Sequence, residues 1–389
     1  MLAVVFLART PMGLMFQSLA AVGPFMIEDL GLTYSQYGLL FGLFFMLPGG
    51  VMALPGGLLG QRFGSRPIGS AGLALMVLGG LVTAESAGFA LAALGRTMSG
   101  IGGALLNVAL AKMVADWFTG REISTAMGLM LTSFPVGMAL AMGFLAHLAA
   151  ASTWRAAVHV TAIAAAMGLV LLVSLYRDPP AGGEGGARPA ASPVRLTGRD
   201  LSLSASAGLA WGLFNAGFAV LGGFAPAYLT ARGASVGEAG VIVSIGIAVS
   251  LVSVPLGGYV AERLGRPNLV IITGCLTTAL FIALMPLLPV PTLWFVLMGI
   301  MFGLPPGAMM SLLPRALPAD RLASGLGVYY TIFYLAFAGA PPLAGLVRDL
   351  SGGPTAPIFF AAGATVASVL CLGLFRSLER QAAAPAARA

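Results

Sequence analysis

Charged residues are scarce in this 389-residue chain. They make up only 8% of it, whereas apolar residues make up 58% and the mean hydropathy is +0.96. Soluble domains carry roughly a quarter of their residues as charged side chains. Water therefore cannot be the main solvent of this chain, which excludes the ordinary soluble classes of protein.

Carboxylates are scarcer still, and none of the thirteen falls in the middle of an apolar run. Glu28, Glu238 and Glu262 come nearest to such a position. Charged groups inside a bilayer are costly and usually functional. This distribution leaves no obvious residue for a proton relay of the Asp/Glu type, or for a carboxylate that binds a cationic drug.

Catalytic and cofactor motifs are also missing. The sequence has no HExxH or GxxxxGK[ST] pattern, the patterns that would indicate a metalloprotease or an ATP site. Cys275 and Cys371 lie in separate apolar runs, without a second Cys or a His at ligand spacing. We therefore expect no enzyme, no metal and no cofactor, and we expect a gradient to supply the energy.

Long apolar runs are what the sequence has instead. A helix that crosses a bilayer needs about 20 mostly apolar residues, whereas the strands of a membrane barrel are short and alternating. The runs are continuous and rich in Gly, Ala and Leu, so we predict an all-α membrane protein. Its twelve transmembrane helices are expected near residues 3–28, 36–60, 67–85, 88–114, 122–149, 155–176, 201–230, 236–261, 267–288, 291–314, 321–347 and 355–377.

One long polar segment separates six of these runs from the other six. Pro, Gly and Ala dominate it, as in flexible linkers. The predicted organisation is an N-terminal six-helix bundle, a cytoplasmic linker, a C-terminal six-helix bundle and a cytoplasmic tail, over residues 1–176, 177–200, 201–378 and 379–389.

The two halves of the chain resemble each other. The loop Gly57–Pro67 reads GLLGQRFGSRP, and Gly258–Pro267, beginning 201 residues later, reads GYVAERLGRP. Repeated halves are typical of transporters that alternate access around a site at the midplane. A triplet with seven-residue spacing also recurs at an offset of 202, as Pro24, Gly31 and Gly38 and then Pro226, Gly233 and Gly240.

The first of these loops resembles the signature loop of the major facilitator superfamily, Gly-x-Leu-Ala/Gly-Asp-Arg-x-Gly-Arg-Arg/Lys. Gln61 replaces the usual Asp and Ser65 the usual Arg, whereas the second copy keeps an acid, Glu262. The resemblance implies a conformational-switch loop in which the acid helps to latch the halves together. The residues concerned are Gly57, Gln61, Arg62, Gly64, Arg66, Gly258, Glu262, Arg263, Gly265 and Arg266.

Further stretches extend this resemblance over essentially the whole chain. Residues 96–103, RTMSGIGG, are similar to the Arg-x-x-x-Gly-x-Gly motif of the superfamily. Residues 115–122 and the two Leu-Pro-Gly-Gly sequences most resemble the cyanate-permease branch, which includes a nitroimidazole transporter. The Gly-Pro dipeptide of proton-driven drug exporters is missing from the fifth run. The resemblance implies two pseudo-symmetric bundles and disfavours drug export.

Two arginines fall inside predicted spans, Arg9 in the first and Arg96 in the fourth. A guanidinium presents a planar donor fork that suits carboxylate-like anions, so either arginine could attract a small anion. The alternatives are that Arg9 extends to the membrane surface and that Arg96 binds backbone carbonyls.

Polar and aromatic side chains near the midplane complete the predicted substrate site. The alternative for each amide is an interhelical hydrogen bond, and for each aromatic residue plain packing. The predicted substrate-binding residues are Arg9, Gln17, Arg96, Asn107, Trp211, Asn215, Tyr330 and Tyr334.

Basic residues are concentrated on one side of the predicted spans. With both termini in the cytoplasm, fifteen of the twenty fall on that side, three on the other and two within spans. This positive-inside distribution explains the net charge of +7 without nucleic acid. The near absence of lysine beside abundant Ala, Gly and Arg indicates a bacterial inner-membrane protein.

Together these features predict a secondary active or facilitative transporter that moves a small anionic solute by alternating access. The alternative is a proton-coupled exporter of amphipathic drugs, which would need the missing buried acid and Gly-Pro motif. The expected partners are the solute, a proton or counter-solute, and the lipid bilayer. We expect a monomer.

Overall fold

A computed structural model of the chain describes residues 1–118, 122–177 and 196–386, without the side chains of a few positions that include Gln61. The described residues contain twelve helical segments long and apolar enough to cross a membrane, here called spans 1 to 12. The predicted all-α membrane fold is therefore confirmed. Most of the predicted linker, residues 178–195, lies outside the described part, as do residues 387–389.

The spans are close to their predicted positions. Spans 1 to 6 comprise Leu2–Leu30; Tyr34–Gly38, Leu39–Leu43 and Phe44–Phe63; Ser65–Ala84; Phe89–Trp117; Glu122–Leu140, Ala141–Leu145 and Ala146–Ala151; and Trp154–Leu175. Spans 7 to 12 comprise Gly198–Ala231; Val236–Leu264; Pro267–Leu284; Pro291–Phe302, Pro305–Met310 and Leu312–Ala316; Ala319–Ser351; and Ala356–Ala386. The last helix thus continues into the segment predicted as a tail.

Two of the spans contain a π-helical turn. One is Leu39–Leu43 in span 2, and the other is Ala141–Leu145 in span 5. Such turns are frequent at functional sites, because the extra residue in the turn changes which side chains and carbonyls face a neighbour.

Because the spans alternate in direction, both described chain ends lie on one side of the molecule, here called the terminal face. The opposite side is called the far face. Several spans begin with a capping box, in which a Ser or Thr and the residue three positions later satisfy free backbone N–H groups. The pairs are Thr33 with Gln36, Thr197 with Asp200, and Ser235 with Glu238.

Glycine allows the helices within each half to pack with their backbones close together. Between spans 3 and 4, a Cβ on Gly72 would lie 2.6 Å from the carbonyl oxygen of Gly102, and a Cβ on Gly79 would lie 2.5 Å from that of Gly95. Larger side chains at these positions would force the two helices apart.

The two halves meet along a seam formed by three pairs of spans. Span 1 contacts span 7, span 2 contacts span 11, and span 5 contacts span 8. A central cavity lies between the two halves within this seam, and this cavity is the candidate site.

Candidate functional site

The central cavity has a volume of about 430 Å³ and is lined by residues from both halves of the chain. Three of the sixteen lining residues have polar side chains, and none is charged. The sixteen lining residues are Phe16, Gly128, Leu131, Thr132, Phe134, Pro135, Met138, Asn215, Phe218, Ala219, Ser250, Leu251, Val254, Pro255, Phe302 and Phe337.

Phenylalanine rings form the walls of this cavity on both sides of the seam. The ring centroid of Phe16 lies 5.8 Å from that of Phe134 and 6.1 Å from that of Phe337. On the other wall, the rings of Phe218 and Phe302 stack at 4.2 Å. Rings at these distances attract one another and offer flat apolar surfaces, so the cavity suits a solute with an apolar or aromatic body.

Asn215 is the one carboxamide on the cavity wall. Its Nδ2 donates a hydrogen bond to the carbonyl oxygen of Trp211 at 2.9 Å, while its Oδ1 accepts none among the described residues. Thr132 and Ser250 donate to carbonyls of their own helices, at 2.7 and 2.6 Å. Asn215 therefore offers an acceptor to a solute, and the two hydroxyls retain lone pairs.

Arg9 lies behind this wall, and its side chain is only 6% exposed. Its Nε donates to Asn107 Oδ1 at 3.0 Å, and its Nη1 donates to the carbonyl oxygens of Met130 and Leu131, both at 3.1 Å. Its Cζ lies 5.8 Å from the centroid of the Phe134 ring. The guanidinium thus connects spans 1, 4 and 5 inside the bundle, and its Nη2 makes no hydrogen bond among the described residues.

Arg96 lies deeper, at 1% exposure. It donates to the carbonyl oxygens of Leu40 at 3.0 Å, Met15 at 2.8 Å and Phe16 at 3.4 Å. Leu40 belongs to the π-helical turn of span 2. All three nitrogens of the guanidinium are therefore used to join span 4 to spans 1 and 2, which is the structural alternative considered for this residue.

The other predicted site residues are not among those that line the cavity. Gln17 is fully buried in the seam, where its Nε2 donates to the carbonyl oxygen of Gly222 at 3.0 Å. Trp211 stacks on Phe214, Tyr330 is 39% exposed, and Tyr334 packs against Gly50. Asn107 binds Arg9. Of the eight residues, Asn215 alone is among those that line the described cavity.

Five of the fifteen cavity residues that sequence reasoning missed are phenylalanines. Phe16 precedes Gln17 and Phe214 precedes Asn215, and four-residue spacing from Phe214 leads to Phe218. This spacing was the available signal. It is weak, because a phenylalanine that faces lipid has the same hydropathy as one that faces a cavity.

The far face of the seam is closed by hydrogen bonds between the halves. Asp349 of span 11 accepts from the backbone N–H groups of Tyr34 and Ser35, at 2.9 and 2.8 Å. Arg348 donates to Tyr34 Oη at 3.1 Å, and its Cζ lies 4.4 Å from the centroid of that ring. A carboxylate from one half thus caps the first helix of span 2 in the other half.

Deeper in the seam, contacts between side chains and backbone continue this closure. Tyr37 Oη donates to the carbonyl oxygen of Gly223 at 2.8 Å. Ser244 Oγ donates to the carbonyl oxygen of Ala139 at 3.2 Å. All the described hydrogen bonds between the halves lie in the part of the membrane nearer the far face, whereas the cavity extends from the midplane towards the terminal face.

The glycines of the repeated Pro-Gly-Gly triplet have structural roles at the ends of spans and in this seam. Gly31 and Gly233 end spans 1 and 7 with φ angles of 59° and 95°, a conformation that other residues rarely adopt. A Cβ on Gly38 would overlap the carbonyl oxygen of Pro341, and a Cβ on Gly240 would overlap that of Met142. Each half therefore contributes one equivalent glycine to the closed face.

The two switch loops lie on the terminal face. Gly64 and Gly265 have φ angles of 89° and 60° and form the turns, and Arg66 donates to the carbonyl oxygen of Val173 within its own half. Glu262 is exposed and forms no hydrogen bond or ion pair among the described residues. Among the described side chains, the loops form no hydrogen bond or ion pair between the two halves; the side chain of Gln61 lies outside the described part.

The other switch-loop residues also stay within their own halves. Arg62 and Arg263 are exposed and lie over the rings of Phe63 and Tyr259, at 5.2 and 5.3 Å. Arg266 is exposed at the start of span 9. The first residue of each copy of the motif, Gly57 or Gly258, lies in the last two turns of span 2 or span 8.

Two six-span groups that close around a central cavity, with a repeated loop on one face, define a membrane transporter of the alternating-access kind. Comparison with known families identifies the group. A sequence model of the Major Facilitator Superfamily matches residues 5–338 and, in a second match, residues 208–389. The chain belongs to this superfamily.

Solved structures share the fold at low sequence identity. A bacterial homolog of the human lysosomal transporter Spinster, in an inward-facing and occupied conformation, aligns with a TM-score of 0.76 and 18% identity over 98% of this chain and 96% of the homolog. The xylose transporter XylE from E. coli, in an inward-open conformation, aligns with a TM-score of 0.75 and 16% identity over 95% of each chain. No curated protein matches the sequence.

Proposed function

We propose that this transporter moves a small organic anion with an apolar or aromatic body through the central cavity. The observation that supports the proposal most is the chemistry of the cavity. Its wall is aromatic and aliphatic with a few polar groups, as is usual in small-molecule sites, and the two charged groups behind it, Arg9 and Arg96, are both positive.

The charges of these arginines favour an anion because neutral groups alone bind them. Their described hydrogen-bond partners are backbone carbonyls, an amide and a hydroxyl. In a site with little water, an uncompensated charge acts over a longer distance than at the surface. The cavity is therefore expected to attract a carboxylate-like group and to repel a cation.

Arg9 is the better candidate for a direct contact. Its Nη2 is the guanidinium nitrogen without a described partner, and two of its neighbours, Leu131 and Phe134, line the cavity. We infer that the polar end of the solute lies towards Arg9, with Asn215 on the opposite wall.

A neutral amphipathic solute is the second candidate, because the three polar lining residues are themselves neutral. Three probes with the same body separate the two candidates: benzoate, benzamide and benzylamine. For binding to the purified protein, measured by calorimetry, we expect benzoate to bind more tightly than benzamide, and benzylamine not to bind.

The variant Arg9→Gln tests the origin of this preference. It should lower the affinity for benzoate by about tenfold, the effect of losing one charged hydrogen bond, and should leave the affinity for benzamide within about twofold. Tightest binding of benzylamine would contradict the anion proposal. Equal loss for benzoate and benzamide would show that Arg9 only supports the wall.

The distribution of basic residues supports a cytoplasmic terminal face in a bacterial inner membrane. The cavity would then be open towards the cytoplasm in this structure. The narrower resemblance to the cyanate-permease branch names further solutes for the same binding assay, cyanate and a nitroimidazole. A proton or a counter-solute remains the proposed coupling partner.

A further inference from the structure

A separate groove lies on the outer surface of the C-terminal half. It has a volume of about 580 Å³ and is lined by residues of spans 7, 11 and 12. Leu335 and Leu374 form its edges and are 53% and 52% exposed, whereas Ser206 at its floor is 4% exposed. Span 7 therefore forms the base of a groove whose sides are spans 11 and 12.

The hydroxyls of this groove are already satisfied. Ser202 Oγ donates to the carbonyl oxygen of Gly198 at 2.9 Å, and Ser206 Oγ donates to that of Leu203 at 3.1 Å. The remaining lining side chains are Ala, Ile and Leu. Because the groove faces the hydrocarbon of the bilayer, a lipid acyl chain is the occupant that its surface matches.

The mouth of the groove carries positive charge. Arg199 is exposed one helical turn nearer the terminal face than Ser202, and the spacing of Arg199, Ser202, Ser206 and Leu209 places them on one face of span 7. Arg321 lies at the start of span 11, and its Nη1 is 3.1 Å from Asp200 Oδ2. Asp200 also accepts a hydrogen bond from the backbone N–H of Thr197. The negative charge of Asp200 therefore interacts with Arg321 and with the first turn of span 7.

We propose that this groove binds an anionic phospholipid of the terminal-face leaflet, with an acyl chain between spans 11 and 12 and the phosphate at Arg199. A guanidinium forms short, charge-assisted hydrogen bonds with phosphate. The proposal is independent of the transported solute, because the groove and the central cavity share no lining residue.

Native mass spectrometry of the full chain, titrated with dioleoylphosphatidylglycerol or dioleoylphosphatidylcholine, tests the proposal. We expect one site that prefers phosphatidylglycerol, and we expect Arg199→Gln to lower that affinity about fivefold, the contribution of one basic residue to binding of an anionic lipid. The matched control is Arg380→Gln. Arg380 is also an exposed arginine near the terminal face, but it points about 160° away from Leu378 around span 12, and its substitution should have no effect.

A second variant tests the acyl-chain part of the site. Ser202→Phe places a ring in the mouth of the groove and should abolish the preferred site, whereas glycerol 3-phosphate, which has no acyl chain, should not compete. Equal affinity for the two lipids would overturn the proposal. So would competition by glycerol 3-phosphate, an equal effect of Arg380→Gln, or undiminished binding to folded Ser202→Phe.

Discussion

Two buried arginines occupy different positions relative to the same cavity. Arg96 uses all three guanidinium nitrogens on backbone carbonyls of spans 1 and 2 and lies 4.4 Å from the centroid of the Phe45 ring. Arg9 keeps Nη2 without a described partner. The same residue type therefore has a mainly structural environment at position 96 and a more available charge at position 9.

This difference leads to a prediction for Arg96. Arg96→Gln should destabilise the protein by roughly 3 kcal/mol, because each bond to a charged donor contributes about 1.5–3 kcal/mol and the freed carbonyls stay buried. Arg96→Lys should not restore the stability, since one ammonium cannot reproduce the planar fork. The measurement is the midpoint of denaturation of the purified protein.

Arg62→Gln is the control, because Arg62 is exposed on the terminal face, and its effect should stay within about 0.5 kcal/mol. The structural role would be wrong if Arg96→Gln were as stable as the wild type and had lost only the binding of benzoate.

Among the structural elements, the first helix of span 2 depends on the opposite half for its cap. Thr33 caps it from within the same half, and Asp349 caps it from the other half, across the seam. Span 8 begins with the same chemistry but keeps it local, because Glu238 caps the N–H of Ser235 in its own turn. Of these caps, the one from Asp349 joins the two halves, so it must break when the far face opens.

We therefore predict that Asp349→Asn shifts the protein towards the state that is closed at the terminal face. The amide oxygen of Asn can replace only one of the two carboxylate acceptors, and the loss of one hydrogen bond costs about 1 kcal/mol, which changes the ratio of the two states about fivefold. The measurement is the distance between spin labels at Arg62→Cys and Arg263→Cys, two exposed positions on the terminal face of opposite halves. The shorter distance should gain population.

Glu238→Gln is the matched control for this experiment and should leave the distance distribution unchanged. An unchanged distribution in Asp349→Asn would show that the cap does not contribute to the balance between the two states.

For the whole molecule, hydropathy was sufficient to predict the twelve spans. Span 3 was predicted at 67–85 and is Ser65–Ala84, and span 6 was predicted at 155–176 and is Trp154–Leu175. Span 7 begins at Gly198 instead of 201, because the capping box of Thr197 and Asp200 starts the helix before the apolar run does. Segments of this length must be helical to satisfy their backbone in lipid.

The candidate site was harder to predict for a physical reason. Hydropathy depends on residue type alone, so it does not distinguish Phe218 and Phe302, which line the cavity, from Phe144, which is 56% exposed on the surface. The polar residues that the sequence predicted for the site mostly bind the backbone or one another. Which face of a span meets the cavity depends on packing between distant segments.

The division of the chain into residues 1–176, 177–200, 201–378 and 379–389 stays a prediction, as do the monomeric state and the latch role of the switch loops. The seam nevertheless gives these proposals a common physical basis. Two halves that bond to each other only near the far face, among the described residues, can rock about the cavity if those bonds exchange for others at the terminal face.

Transport itself gives the most direct test of this account. Uptake of labelled benzoate into proteoliposomes should be measured for the wild type and for Ala219→Trp, whose indole would fill the cavity at a buried lining position, with the folded fraction of each matched. We predict uptake by the wild type, competition by unlabelled benzoate but not by benzylamine, and uptake at the level of empty liposomes for Ala219→Trp. Equal uptake by folded Ala219→Trp, or competition by benzylamine alone, would contradict a central cavity that carries an organic anion.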